Sequence, residues 1–201
     1  YLDACQLDSG TRRADNDNGI LASGKNYTDM EHKWDEAFGY LYGQEADATR
    51  ADLGTSPTGN GTTLNKYFKK INDSNEPGLA STVFDAFKLG RAAIVAGNYD
   101  VRDTQANIIK INLSKVVGYK AIDYLESYMS KKAATPADAI HALSEGYGFI
   151  LSLMFTNDGT GSPYFSEAEV NSMLSKLSNF WTVQDSDLTQ MANDIRGRFN
   201  F

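Results

Sequence analysis

The 201-residue chain contains two histidines, and both stand in the same local string. The first reads His32-Lys33-Trp34-Asp35-Glu36-Ala37-Phe38-Gly39-Tyr40 and the second His141-Ala142-Leu143-Ser144-Glu145-Gly146-Tyr147-Gly148-Phe149. Both follow His-x-x-x-Glu-small-aromatic-Gly-aromatic. In a chain that is 11% aromatic with 17 glycines, chance does not readily place both histidines in one such string, so we read an internal repeat offset by 109 positions.

The spacing has chemical content. Helical residues four apart lie about 40° apart around the axis, so each histidine and its glutamate leave the same face one turn apart. Imidazole suits iron, zinc, copper and nickel, a carboxylate adds charge, and paired helices that each offer His and Glu are how bundle proteins build metal sites. Should the repeats face one another, His32, Glu36, His141 and Glu145 converge as ligands. Asp35 and Glu31 are then further ligands or supporting groups, although Glu31 is adjacent to His32 and points elsewhere on a regular helix. The same pattern equally suits architecture: two helices packed across a pseudo-twofold axis would repeat a buried His/Glu hydrogen bond. Gly39, Gly146 and Gly148, each costing about 1 kcal/mol against alanine inside a helix, predict close approach between helices.

The elements that must position these groups are helical. Residues 8–29 are rich in Asp, Asn, Gly and Ser and read as loop, with Asp15-Asn16-Asp17-Asn18-Gly19 as a solvated turn. Residues 1–28 and 44–63 are thus mainly loop. Thr28 or Asp29 caps a helix through His32 that fades near Gly43, and a short helical piece spans Leu64 to Ile71. Leu79, Val83, Phe84, Phe87, Ile94 and Val95 form one apolar stripe ending at Gly97-Asn98. A longer helix from Tyr99 to Lys131 would pair with it as an antiparallel hairpin. Thr135-Pro136 opens the helix of His141, running to about Phe155. Ser166 with Glu169 is a capping-box pattern for a helix ending near Phe180, and Asp187 suits the start of the last. No segment alternates as a strand, so the expected class is all-α, a single helical domain over 1–201.

Composition narrows the function. With 19 basic against 26 acidic residues the net charge is −7 and the basic residues are scattered, which argues against a nucleic-acid partner. Cys5 is the only cysteine, so one chain forms neither a disulfide nor a multi-thiolate metal site. No apolar run is long enough to span a bilayer. Starting at Tyr1 with neither Met nor a signal-like segment, the chain reads as the processed C-terminal part of a longer precursor. Asp158, Thr160, Ser162, Tyr164, Ser166 and Glu169 fall at calcium-loop positions, but Pro163 stands where glycine is needed, and calcium is not expected there.

The string Met30-Glu31-His32-Lys33-Trp34-Asp35-Glu36-Ala37-Phe38-Gly39-Tyr40 resembles the signature of a bacterial family of unknown function that is similar to the imelysin-like, iron-regulated helical proteins. Segments around Glu145 to Phe149, Ser166 to Val170 and Phe180-Trp181 resemble its C-terminal part. The resemblance implies an exported, periplasmic or lipid-anchored protein built as a helical bundle with duplicated halves and tied to iron or another transition metal such as zinc. Imelysins carry Gly-x-His-x-x-Glu. Here Met30 stands at the glycine, Asp35 at the glutamate after His32, and Ser144 at the glutamate after His141, so the resemblance favours His32 and Asp35 and weakens His141 as a ligand. A zinc-peptidase His-Glu-x-x-His is absent.

The expectation is a binding or uptake-associated protein whose partner is a metal ion or an exported protein. The competing expectation is a structural or self-assembling protein, a homo-oligomer included, in which buried His-Glu pairs lock helices. An enzyme would require an open metal position.

Overall fold

A computed structural model describes residues 1–43, 45, 47, 49–53 and 64–201. The loop expected over 44–63 lies largely outside the described residues, apart from a 3-10 turn at Ala51–Leu53. Among the described residues the fold is all-α with no strand: α1 (Ala4–Leu7), α2 (Arg12–Asp17), α3 (Asp29–Tyr42), α4 (Asn65–Ser74), α5 (Leu79–Val95), α6 (Tyr99–Lys131), α7 (Pro136–Ser152), α8 (Glu167–Lys176) and α9 (Asp185–Phe199). Packing divides the chain into two compact units, Tyr1–Asn112 and Leu113–Phe201, with α6 beginning in the first and ending in the second.

In the first unit α3 starts where the local chemistry dictates. Thr28 Oγ1 accepts from the Glu31 amide at 3.3 Å, and the Glu31 carboxylate accepts from the Thr28 amide, a complete capping box that satisfies two orphan donors. Gly43 ends the helix with φ +63, a conformation in which a side chain is strained. Trp34 fixes the helix against α5. Its Nε1 donates to the Phe87 carbonyl at 2.9 Å, and its ring fills the notch at Gly90, where a Cβ would come within 2.1 Å of Trp34 Cζ2. Phe38, Tyr42, Phe84 and Phe87 continue the seam in tilted and edge-on contacts, such as Phe38 to Phe87 at 5.5 Å and 89°.

Polar groups hold the rest of this unit. Arg102 on α6 is fully buried, donates to both oxygens of Asp8 at 2.7 and 3.1 Å and to Asp103 at 2.8 Å, and lies against Met30 and the Tyr99 ring. Residues 15–17, expected as a solvated turn, belong to the short helix α2, whose Asn16 is a junction. Asn16 donates to the Ile94 carbonyl at 2.8 Å and the Tyr99 hydroxyl at 3.0 Å and accepts from Thr28 Oγ1 at 2.7 Å. The amino-terminal region is therefore stapled to three other elements by side-chain hydrogen bonds, which local composition does not reveal.

The second unit has an apolar centre of Leu125, Leu143, Ile150, Phe165, Val170, Leu188 and Ile195, among others. Ser166 and Glu169 form the expected capping box on α8, and Arg198 of α9 donates to Glu169 at 2.7 Å, so the cap also joins two helices. These bonds pull the Glu169 carboxyl down to about 2. Some boundaries differ from expectation: α8 ends at Lys176 because Leu177 leaves the helical ladder, and α9 begins at Asp185 rather than at Asp187. Thr135 occupies the N-cap of α7 without a side-chain cap bond, its ψ of 72 lying outside the usual capping geometry. Phe199 lies over Gly118, 3.1 Å from where a Cβ would stand, and stacks on Tyr164, while Phe201 stacks on Tyr119 at 3.6 Å.

These contacts generate three stability predictions. Gly90→Ala gains about 1 kcal/mol of helix propensity but forces a buried, hydrogen-bonded indole to move, so a net loss of about 2 kcal/mol is expected in urea unfolding. Gly39→Ala, with open space around the new methyl, should instead stabilise by about 0.5–1 kcal/mol. Arg102 holds the Asp8 carboxyl below its usual range. Its contribution is therefore full above the unfolded carboxylate pKa and is lost as pH falls through the depressed folded value. The acid branch of the stability profile should be shallower in Asp8→Asn than in wild type, and that variant should be less stable at neutral pH by about 2 kcal/mol, since Asp103 still faces the buried guanidinium.

Candidate functional site

Burial of Trp34 decides where the first histidine points. At about 100° per residue, positions two before and two after a buried residue face away from it. His32 and Glu36 accordingly emerge on the outer side of α3, with His32 Nε2 3.7 Å from Glu36 Oε1 and side chains 45% and 30% exposed. The same phase recurs on α7. Leu143, two residues after His141, is fully buried, and His141 Nε2 lies 3.8 Å from Glu145 Oε1 with exposures of 75% and 30%. The pairs are thus solvent-facing, and the expectation of buried His-Glu bonds locking helices does not hold.

The surroundings of the two pairs differ. Tyr27 stacks on the His32 ring at 5.2 Å and 13°, which limits its rotation. Lys33 donates to Glu36 at 2.5 Å and draws that carboxyl below its usual range. On α7, Ser144 turns back to its own helix and donates to the His141 carbonyl at 2.8 Å.

Asp35, expected as a ligand with His32, is engaged instead by an arginine of α5. Arg91 of α5 donates to Asp35 at 3.0 Å and to Glu31 at 2.6 Å, so a single guanidinium clamps both acids onto the α3–α5 seam. Arg91 was not legible as a functional residue, because nothing local marks an arginine 56 positions from Asp35 as its partner. Among the described residues no group of three or more His, Cys, Asp or Glu is placed to hold a metal ion. What the geometry offers is one two-ligand pair within each unit.

The donor set can be tested against the size of an ion. Zinc lies about 2.0–2.2 Å from imidazole nitrogen and carboxylate oxygen, so two ligands of one ion stand at most about twice that distance apart. Separations of 3.7 and 3.8 Å fall within the limit. His32 with Glu36, and His141 with Glu145, therefore fit as bidentate halves of a coordination sphere.

The expected glycine contacts are only partly present. A Cβ on Gly146 would meet Tyr124 Cβ at 3.2 Å, the close approach anticipated, whereas Gly39 and Gly148 have nothing within 4 Å. The closest notches are instead at Gly90 and Gly118. Other concave surfaces carry paired groups. The groove of about 660 Å³ between α8 and α9 contains Glu169 bound to Arg198 and Gln190 bound to Asp194. The groove of about 490 Å³ between α3 and α5 is floored by Trp34, Phe38, Ala92 and Val95 and rimmed by the Asp35–Arg91 pair. No helix among the described residues is long and apolar enough to cross a membrane.

No curated protein and no solved structure shows a significant match to the chain. A family model described as a domain of unknown function, DUF4856, matches residues 1–201, and the chain belongs to that family.

Proposed function

We propose that the protein is an exported, imelysin-like binding protein that holds a transition-metal ion, iron or zinc, on its exposed His-Glu pairs. The observation that carries this reading is the repeated outward geometry: both histidines of the chain stand 3.7–3.8 Å from a glutamate one helical turn away, on faces left open to solvent. A purely structural pair has its stabilising role in burial, where an imidazole must find a partner. An exposed His-Glu pair adds only tenths of a kcal/mol to a helix. Its occurrence on both halves therefore supports a ligand role. The likeness of the α3 string to a family similar to imelysins supports His32, while Glu36, His141 and Glu145 are assigned as ligands on their spacing from the histidines. Asp35, engaged by Arg91, is a positioning group for α3.

A second reading, a protein-interaction module, is favoured by the exposure of Trp181 (77%) and Phe155 (78%) in the second unit. Such aromatics are enriched at interfaces.

The deciding experiment is a calorimetric titration of chelator-treated protein with zinc, repeated anaerobically with ferrous iron. His32→Ala and His141→Ala should each remove part of the bound ion and the double variant all of it, with the helical circular-dichroism signal unchanged because both side chains are exposed. Wild-type protein that takes up neither ion, or uptake that survives in the double variant, refutes the reading.

A further inference from the structure

We infer that the open face of α7 docks a basic amphipathic helix of another protein, with that helix's apolar side on Tyr147, Leu151 and Phe155 and its Lys or Arg side chains toward Asp138 and Glu145. This builds on the reading of the second unit as an interaction module and adds the chemistry of its partner.

A helix on the surface of a protein buries one stripe and hydrates the rest. On α7 the buried stripe is made by Ala139, Ala142, Leu143, Gly146 and Ile150. At about 100° per residue, the side turned away from it has two unlike edges. Tyr147 and Leu151, 37% and 39% exposed, stand along one edge, and Phe155, in the 3-10 turn at the end of the helix, is 78% exposed. Asp138 and Glu145, two turns apart, stand along the other, Asp138 exposed and Glu145 half-buried beside His141. Between the edges the exposed Ser144 and Gly148 keep the surface low enough for a second helix to settle. An extended peptide is the poorer occupant, because α7 uses its backbone hydrogen bonds internally and offers no strand edge to add to.

Charge selects the partner. From Ala133 to Ser175 the sequence has no Lys or Arg, so α7 carries its two acids with no basic residue of its own. The basic residue just before this stretch, Lys132, is held by Asp185 at 2.5 Å. A face with one apolar and one acidic edge is complementary to a helix that is apolar on one side and cationic on the other, and it is repelled by anionic lipid. A second copy presenting the same face is a poor match in either direction. Twofold pairing sets acidic edge against acidic edge when the helices run antiparallel, and acidic edge against apolar edge when they run parallel.

The test is fluorescence anisotropy of the full chain with two labelled synthetic helical peptides, in buffer containing a chelator so that no metal ion takes part. Both carry Leu at three- and four-residue steps; one has Lys along the edge of the Leu row and the other has Glu. The Lys peptide should bind, and the double variant Leu151→Ala, Phe155→Ala should weaken it about tenfold or more. That variant leaves the charge unchanged, and circular dichroism checks that it keeps its helices. Asp138→Asn should weaken binding about threefold and make it less sensitive to salt. A Lys peptide that fails to bind at submillimolar concentration, or that binds the double variant as tightly as wild type, overturns the inference. Equal binding of the Glu peptide, lost in the double variant, overturns it too but leaves the interaction reading standing with a partner not chosen by charge. Wild-type protein that sediments as a dimer, and that the double variant returns to monomer, assigns the face to a second copy and overturns the basic partner.

Discussion

The indole of Trp34 seated over Gly90 is the constraint on which the first unit depends. With the indole this close to the α5 backbone, position 90 has no room for a Cβ, and the bond to the Phe87 carbonyl then sets the rotation of α3 about its axis. With Trp34 inward, Met30 one turn earlier reaches Arg102 and Phe38 one turn later joins Phe84 and Phe87. His32 and Glu36 are left no direction but outward. Most of the α3 signature is thus packing and capping, and its His-Glu pair is what that packing turns toward water.

The two units solve the burial problem differently. The second closes over an apolar centre, where Phe199 on Gly118 and Tyr124 against Gly146 mark the tightest contacts. The first buries a guanidinium. Arg102 is tolerated in the interior because two carboxylates and an aromatic face replace the water it loses, and the arrangement makes the unit sensitive to acid in a way that an apolar core is not. Asn16 has the same character at lower charge: it satisfies a carbonyl, a hydroxyl and an N-cap at once. An amide with that many partners cannot be replaced by an apolar group without orphaning them.

The two His-Glu pairs share spacing and phase but not environment. Lys33 and Tyr27 crowd the α3 pair, whereas Ala137, Asp138, Ser144 and Gly148 stand along the exposed side of α7 near His141. The motif is duplicated in spacing and helical phase, and its copies differ in what surrounds them.

Read alone, the chain determined what short-range chemistry governs. The apolar period of three to four residues gave the long helices, Thr28/Glu31 and Ser166/Glu169 marked two starts, Gly43 marked an end, and the repeated His-x-x-x-Glu placed each imidazole beside a carboxylate. These features depend on residues within about one turn of each other. Tertiary structure decided everything that needed a distant partner. It turned Asp35 to Arg91, drew Asn16 out of an apparent surface turn, put Arg102 in the interior and chose Gly90 and Gly118 rather than Gly39 and Gly148 as packing notches. The reason is physical. A glycine or a charged residue has no intrinsic address, and its role is set by which side chain from elsewhere in the chain arrives to fill its space or replace its water.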